Sequence, residues 1–145
     1  MLISAIPDSV DLIAREVREF MTNFDLVLTS GGIGPTHDDV TFEGVARAVG
    51  EETYTHPELL HVVETFFGFT SSDTTPDDPR LRLARVPQSC ELVYGIDCFT
   101  GRQSFYPVVK VKNIYTLPGV PNLFRTGFGM IKRKSRLLNN VSSCF

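Results

Sequence analysis

The apolar positions of this chain change period several times, and each change marks an expected element. Leu2–Ile6 is a short apolar run that reads as an opening strand, with Pro7-Asp8 as the turn after it. Val10, Ile13, Val17, Phe20 and Met21 then recur three and four residues apart, which places them on one side of an α-helix. Asp8 or Ser9 stands where an N-cap would accept from the first free backbone N–H groups. Asp25-Leu26-Val27-Leu28-Thr29 is a near-continuous apolar run bounded by turn residues, the pattern of a buried parallel strand. After a glycine-rich stretch, Phe42, Val45, Ala46 and Val49 predict a second amphipathic helix, with Gly50 suited to its C-cap. A third helix is expected from Thr55-His56-Pro57-Glu58. Thr55 with Glu58 makes a capping box there, and Pro57 suits a first turn. Its apolar face would be Leu59, Val62, Val63, Phe66 and Phe67, and these phenylalanines, with Phe69, read as core.

The pattern then loosens. Thr70–Arg80 is polar, contains Pro76 and Pro79, and reads as an exposed loop. Glu91–Tyr94 and Tyr106–Val111 read as strands flanking a hairpin-like excursion with Gly95 and Gly101. Asn113–Leu117 is a further strand, ending at Pro118-Gly119. Strands and helices alternate in the first half, which predicts βαβ units and an α/β fold on a mostly parallel sheet. In such sheets ligands sit beyond the carboxyl ends of the strands. The loops leaving strand ends here are Pro7-Asp8, Ser30–Asp39 and Pro118–Pro121.

Size and charge narrow the picture. With 145 residues, 42% of them hydrophobic, the chain fits about one globular domain. No apolar run approaches the ~18 residues of a membrane span. The apolar N-terminus is short and lacks the basic flank of a secretory signal, so a soluble, cytoplasmic protein is expected. Cys90, Cys98 and Cys144 have no metal-ligand spacing and fit a reducing compartment. The net charge is −3, yet four of the 14 basic residues lie in Lys132-Arg133-Lys134-Ser135-Arg136. The remainder is therefore more acidic than the total, and nucleic acid is not an expected partner. The basic run itself reads as solvated surface.

The stretch with chemistry in it is Ser30-Gly31-Gly32-Ile33-Gly34-Pro35-Thr36-His37-Asp38-Asp39. Gly31, Gly32 and Gly34 lack a Cβ, so their amides can approach a ligand closely, and a run of such amides makes an anion-binding nest. The N-terminus of the next helix favours phosphate as well. Thr29, Ser30 and Thr36 offer hydroxyls, and Pro35 stiffens the turn. Asp38 and Asp39 would repel a phosphate unless a cation lay between, which points to Mg²⁺ bridging carboxylate and phosphate oxygens. The same residues also fit a structural strand-to-helix turn in which Asp39 only caps the helix. Two better-known phosphate motifs are excluded: no Gly-Lys-Ser/Thr follows, and His37 stands where a dinucleotide fingerprint has its third glycine.

Residues 30–41 resemble the signature of the molybdopterin-binding (MoaB/Mog-like) domain family, which includes CinA-like proteins and the N-terminal half of eukaryotic FAD synthase. Residues Gly32–Glu43 and Leu117-Pro118-Gly119-Val120-Pro121 are most similar to the FAD synthase branch. Ala84-Arg85-Val86-Pro87 and Ile6-Pro7-Asp8 also fit, so the resemblance covers residues 1 to about 124. It implies a three-layer α/β fold with helices on both faces of the sheet. It also implies catalytic roles for Asp39 and Asp8. Substrate binding would fall to Ser30, Gly31, Gly32, Gly34, Pro35, Thr36, Asp38 and Gly119, and a divalent metal such as Mg²⁺ to Asp39 and Asp38. The implied ligand is a flavin or pterin nucleotide, and the implied reaction is metal-dependent hydrolysis of the FAD pyrophosphate to FMN and AMP. The alternatives are a non-catalytic or inactive nucleotide-binding domain, and a molybdopterin adenylyltransferase. Family likeness further implies a homo-oligomer, commonly a trimer.

Two departures carry expectations of their own. The family domain opens with a further strand and helix bearing Gly-Asp-Glu, so an incomplete domain lacking that first strand and helix is expected. Beyond about Phe124 the match fades, and residues 125–145 read as a divergent basic tail. Other candidates are weaker. His37 could serve as a general base or be merely exposed, and His56 and His61 read as cap and helix surface. Asp77 and Asp78 read as a turn. Cys90 and Cys98 would be reactive only if exposed beside positive charge.

Overall fold

The computed structural model describes residues 1–97 and 100–134. Cys98, Cys144 and the basic stretch beyond Lys134 lie outside them. Helix α1 (Val10–Asn23) buries Ile13, Ala14 and Val17, the stripe its spacing predicts. Ser9 holds the N-cap position without a side-chain bond. At the other end, Asn113 Nδ2 donates to the carbonyls of Met21 (3.1 Å) and Phe24 (2.7 Å), satisfying groups the helix leaves open. Strand β1 (Val27–Ser30) follows, then α2 (Thr41–Val49), which ends at Gly50 in the left-handed region as expected. Helix α2 is buried on most sides: Phe42, Gly44, Val45, Ala46 and Ala48 all face protein. Gly44 lies so close to Ile13 that a Cβ would collide with it, which is how α1 and α2 pack together. Arg18 of α1 donates to the Ala48 and Arg47 carbonyls and caps the end of α2.

Strand β2 (Thr53–Thr55) pairs antiparallel with β3 (Arg85–Pro87) in a small two-stranded sheet absent from the sequence reading. Between them lie α3 (Pro57–Phe67) and a 3₁₀ segment, Pro79–Ala84. Because Thr55 is part of β2, it does not cap α3. His56 does, its Nδ1 accepting from Leu59 N at 3.4 Å, with Pro57 in the first turn. Leu59 and Val63 are core, but Phe66 and Phe67 are 68% and 44% exposed, so the apolar face of α3 is narrower than its sequence implies. Phe69 does pack, beneath the Arg80 guanidinium at 4.0 Å.

The main sheet is completed by β4 (Glu91–Val93), β5 (Val108–Val111) and β6 (Ile114–Leu117), in the order β1-β6-β5-β4. It is mixed and not mostly parallel: β1 and β6 run parallel, while β6–β5 and β5–β4 are antiparallel. The cause is local. Only Lys112 and Asn113 separate β5 from β6, and two residues, with Lys112 at φ 53°, can only turn the chain back on itself. Val109, Val111 and Ile114 face α1, α2 and α3, while Val108 and Leu117 face α4 (Pro121–Lys134) on the other side. Three layers result. The stretch read as the start of a tail is thus the body of α4. Met130 and Ile131 are buried, and Gly127 sits where a Cβ would strike Leu117.

Leu2–Ile6 forms no strand. Its residues have no ladder partner, and Leu2 and Ile3 are exposed, although Ile6 packs against the α1–β1 core. An apolar run becomes a strand only where a neighbour satisfies its backbone groups. Among the described residues strand β1 likewise pairs on one side only, and Leu28 is 36% exposed where a buried strand was expected. Among the described residues no helix is long and apolar enough to cross a membrane.

Candidate functional site

Parallel pairing sets β1 and β6 to finish together, with Ser30 opposite Leu117. The Gly31 amide carries that ladder one step further by donating to Leu117 O at 3.0 Å. Gly31 (φ 90°) and Gly32 (φ 65°) then turn the chain through the left-handed region toward α2. Thr41, the first residue of α2, holds this turn from behind: its amide donates to Gly32 O at 2.9 Å and its hydroxyl to Gly31 O at 3.0 Å. Any Cβ on Gly32 would collide with that hydroxyl. Gly119 approaches from the other loop, where a Cβ would lie 3.3 Å from Gly31 Cα, a tight contact. The two loops picked out in the sequence therefore meet backbone to backbone at the carboxyl ends of β1 and β6. The Gly31 amide is consumed by the ladder, whereas the N–H groups of Gly32 and Ile33 have no hydrogen-bond partner among the described residues.

The second half of the loop is held by a side chain. Asp39 Oδ2 accepts from the Thr36 amide at 2.8 Å and from its hydroxyl at 2.5 Å, while Asp39 N donates to Thr36 O at 3.2 Å. Partial burial pushes the Asp39 carboxyl up. Hydrogen bonds from Thr36 and from the Gly34 backbone, together with the Arg82 charge, outweigh it and hold the group below the ordinary carboxylate range. Gly34 permits this closure, because a Cβ there would come within 2.7 Å of Asp39 Oδ2. Asp39 is not the cap of α2. Val40 occupies that position without a side-chain bond.

The remaining candidates separate clearly. Pro35 and Asp38 are exposed, and the Asp38 carbonyl accepts from Val40 N at 3.0 Å. The Thr36 hydroxyl is committed to Asp39, and the Thr29 hydroxyl is buried inside the sheet opposite Thr116, without a partner among the described residues. Asp8 is exposed before α1, and its carboxylate has no hydrogen-bond or ion-pair partner among the described residues. His37 is exposed with Nδ1 3.4 Å from Arg82 Nη1. Asp78 accepts from the Arg80 amide at 2.9 Å and pairs with its guanidinium, a turn and cap role. Cys90 is half-buried beside Glu51, and its thiol is pushed up to about 11, chiefly by burial, the reverse of an activated cysteine.

Beyond Asp39 lies a cleft of about 410 Å³. One wall is the loop and α2, with Gly34, His37, Asp39 and Phe42; the other is residues 76–85, with Leu81 and Arg82. Ile33 and Phe42 are buried beneath it, so an apolar floor carries a charged rim. Sequence reasoning did not single out Arg82. Its only signal was its position just ahead of Ala84-Arg85-Val86-Pro87. A second hollow, about 560 Å³, lies along α3 between His61, Glu64 and Arg80, and touches none of the loop residues. No three acidic, histidine or cysteine side chains among the described residues converge as a metal cage. Magnesium, however, commonly takes one or two carboxylates and completes its shell with water and phosphate oxygens. The ionised Asp39, with exposed Asp38 next to it in the chain, fits that donor set.

Comparison with known proteins agrees with this geometry. A family described as "Probable molybdopterin binding domain" matches residues 2–136, which takes in α4. A "Probable FAD synthase" of Caenorhabditis elegans is 33% identical over 137 residues, covering 87% of this chain and 26% of that protein. A "CinA-like protein" of Desulfotalea psychrophila is 32% identical over 119 residues, covering 82% of this chain and 28% of the relative. The chain thus spans about a quarter of the length of these curated relatives. The crystal structure of CinA from Thermoplasma acidophilum, a protein of unknown function by its own description, superposes with a TM-score of 0.69 at 29% identity, covering 88% of this chain and 72% of that one. The mixed sheet with flanking helices matches that solved structure, and the family match takes in nearly the whole chain: the chain belongs to the molybdopterin-binding, MoaB/Mog-like domain family.

Proposed function

We propose that this domain binds a flavin or pterin nucleotide through its phosphates at the Ser30–Asp39 loop, and that with a divalent cation it hydrolyses the pyrophosphate of FAD to FMN and AMP. The observation that carries the reading is Asp39, kept ionised at the mouth of a cleft beside the glycine turn. The kinship with FAD synthase favours flavin over pterin as the ligand. The unpartnered N–H groups of Gly32 and Ile33, together with the N-terminal end of α2, supply donors and partial positive charge for a phosphate. The apolar floor of Ile33 and Phe42 suits a flat ring. Asp39, with Asp38, would hold the cation, whose bound charge would neutralise the phosphate oxygens and activate water. Thr36 and Gly34 keep Asp39 ionised and oriented for that task. A homo-oligomeric state belongs to the same proposal.

The test is FAD turnover with Mg²⁺ or Co²⁺, following FMN release by the native chain and by Asp39→Asn. A loss of about a hundredfold or more is expected, and equal rates would remove Asp39 from the chemistry. A second reading, nucleotide binding without turnover, has its own support. One Asp39 oxygen is already engaged by Thr36, and the Asp8 carboxylate has no partner on the loop. Calorimetric binding of FAD, FMN and ADP without FMN release would establish that reading over hydrolysis.

A further inference from the structure

We infer that Arg82 is the positioning residue that grips the ligand's phosphate from the wall of the cleft opposite the glycine loop, so that the cleft selects a nucleoside diphosphate by its phosphates. The inference rests on the nucleotide-binding reading above and adds a specificity-determining residue to it.

Two arginines of the 3₁₀ segment behave differently. Arg80 is fully committed. It binds Asp78 through Nε at 2.9 and 3.2 Å and through Nη2 at 2.5 Å, and it lies 4.0 Å above the Phe69 ring. Arg82 is placed but not consumed. Its contacts are His37 Nδ1 at 3.4 Å and Glu43 Oε1 at 3.8 Å, both long, and Glu43 is about half exposed. An exposed pair at that distance contributes little. Both partners belong to the opposite wall: His37 to the loop, Glu43 to the first turn of α2. The guanidinium therefore reaches across the cleft, near Asp39, with its fork unfilled.

Chemistry decides what fills it. Asp39, Glu43 and Asp77 rim the same cleft, so a phosphate entering it meets like charge. A guanidinium offers two parallel N–H donors that match phosphate oxygens, and charge-assisted pairs of this kind are shorter and stronger than the contacts Arg82 makes here. A phosphate would replace His37 and Glu43 as its partner, at little cost because both can return to water. The free N–H of Ile33, a residue that lines the cleft, would serve the phosphate from the loop side.

The experiment is calorimetric titration of the full chain with ADP in the presence of Mg²⁺, and with adenosine as the phosphate-free probe, for native protein, Arg82→Gln and Arg82→Lys. Arg82→Gln should weaken ADP binding about tenfold or more, equivalent to ~1.4 kcal/mol, and leave adenosine binding unchanged. Arg82→Lys, which keeps the charge but not the fork, should recover part of the loss, and it remains the readout should the glutamine variant fail to fold. ADP affinity within twofold of native in both variants, or an equal loss for adenosine, overturns the assignment. Native protein that binds ADP but releases no FMN from FAD would end the hydrolysis reading and leave Arg82 standing. Native protein that binds no ADP would end both.

Discussion

The two halves of the Ser30–Asp39 loop are held by different means. Ser30–Gly32 is fixed by backbone: a ladder bond to Leu117, two bonds to Thr41, and contact with Gly119. Ile33–Asp39 is fixed by one ionised side chain closing on Thr36. The first half admits no Cβ at Gly32 and is indifferent to charge. The second depends on charge and stands open to the cleft. A site can thus separate shape from chemistry within ten residues, and substitutions should sort accordingly.

The largest effect is expected at Gly32. Alanine there must adopt φ near 65° and displace the Thr41 hydroxyl, so Gly32→Ala should lower stability by about 3 kcal/mol, combining left-handed strain with a lost hydrogen bond. Denaturant unfolding measures it, and a loss under half that size would mean that the backbone half yields more easily than its contacts imply. Asp39→Asn comes next, at about 2 kcal/mol, because charge-assisted bonds to Thr36 become neutral ones. Gly31→Ala should cost about 1 kcal/mol. It shares the left-handed φ, here 90°, but nothing lies within 4 Å of its added Cβ. If Gly31→Ala matched Gly32→Ala, strain alone would govern the turn, and the Thr41 contact would carry no weight.

The smallest effect is a pH dependence confined to the second half. The Asp39 carboxyl is depressed in the folded chain, so the unfolded chain binds the proton more readily. Its contribution is therefore present above the unfolded value near pH 4, and it fades as pH falls through the lower folded value. The difference in melting temperature between native and Asp39→Asn should shrink below about pH 4. That between native and Gly32→Ala should not change. A gap for Asp39→Asn that stays constant down to pH 2 would show that its bonds to Thr36 do not depend on charge.

Much of this was legible along the chain. The stripes of α1 and α2, the αL glycine after α2, the Gly-Gly-x-Gly turn and the Pro-Gly turn are local signals, because each depends on period or on a missing Cβ. Three things were not. Leu2–Ile6 has the composition of a strand, but composition cannot supply a pairing partner. Phe66 and Phe67 have the right spacing for the core, but exposure depends on what the rest of the fold lays over them. Arg82 resembles Arg80 in sequence. Only the position of Asp78 makes one arginine a structural brace and leaves the other reaching across a cleft.

By itself, then, the sequence determined where the chain turns, which glycine loop leaves the end of a strand and which family the domain resembles, since these follow from residue type and spacing. Tertiary structure decided that the sheet is mixed, that residues 125–134 are core helix, that the Gly31 amide is spent on the ladder, and that Asp39 closes on Thr36 before a cleft walled by Arg82. Those outcomes turn on which groups from distant segments satisfy one another, and hydrogen-bond and charge pairing across space leaves no periodic trace in the chain.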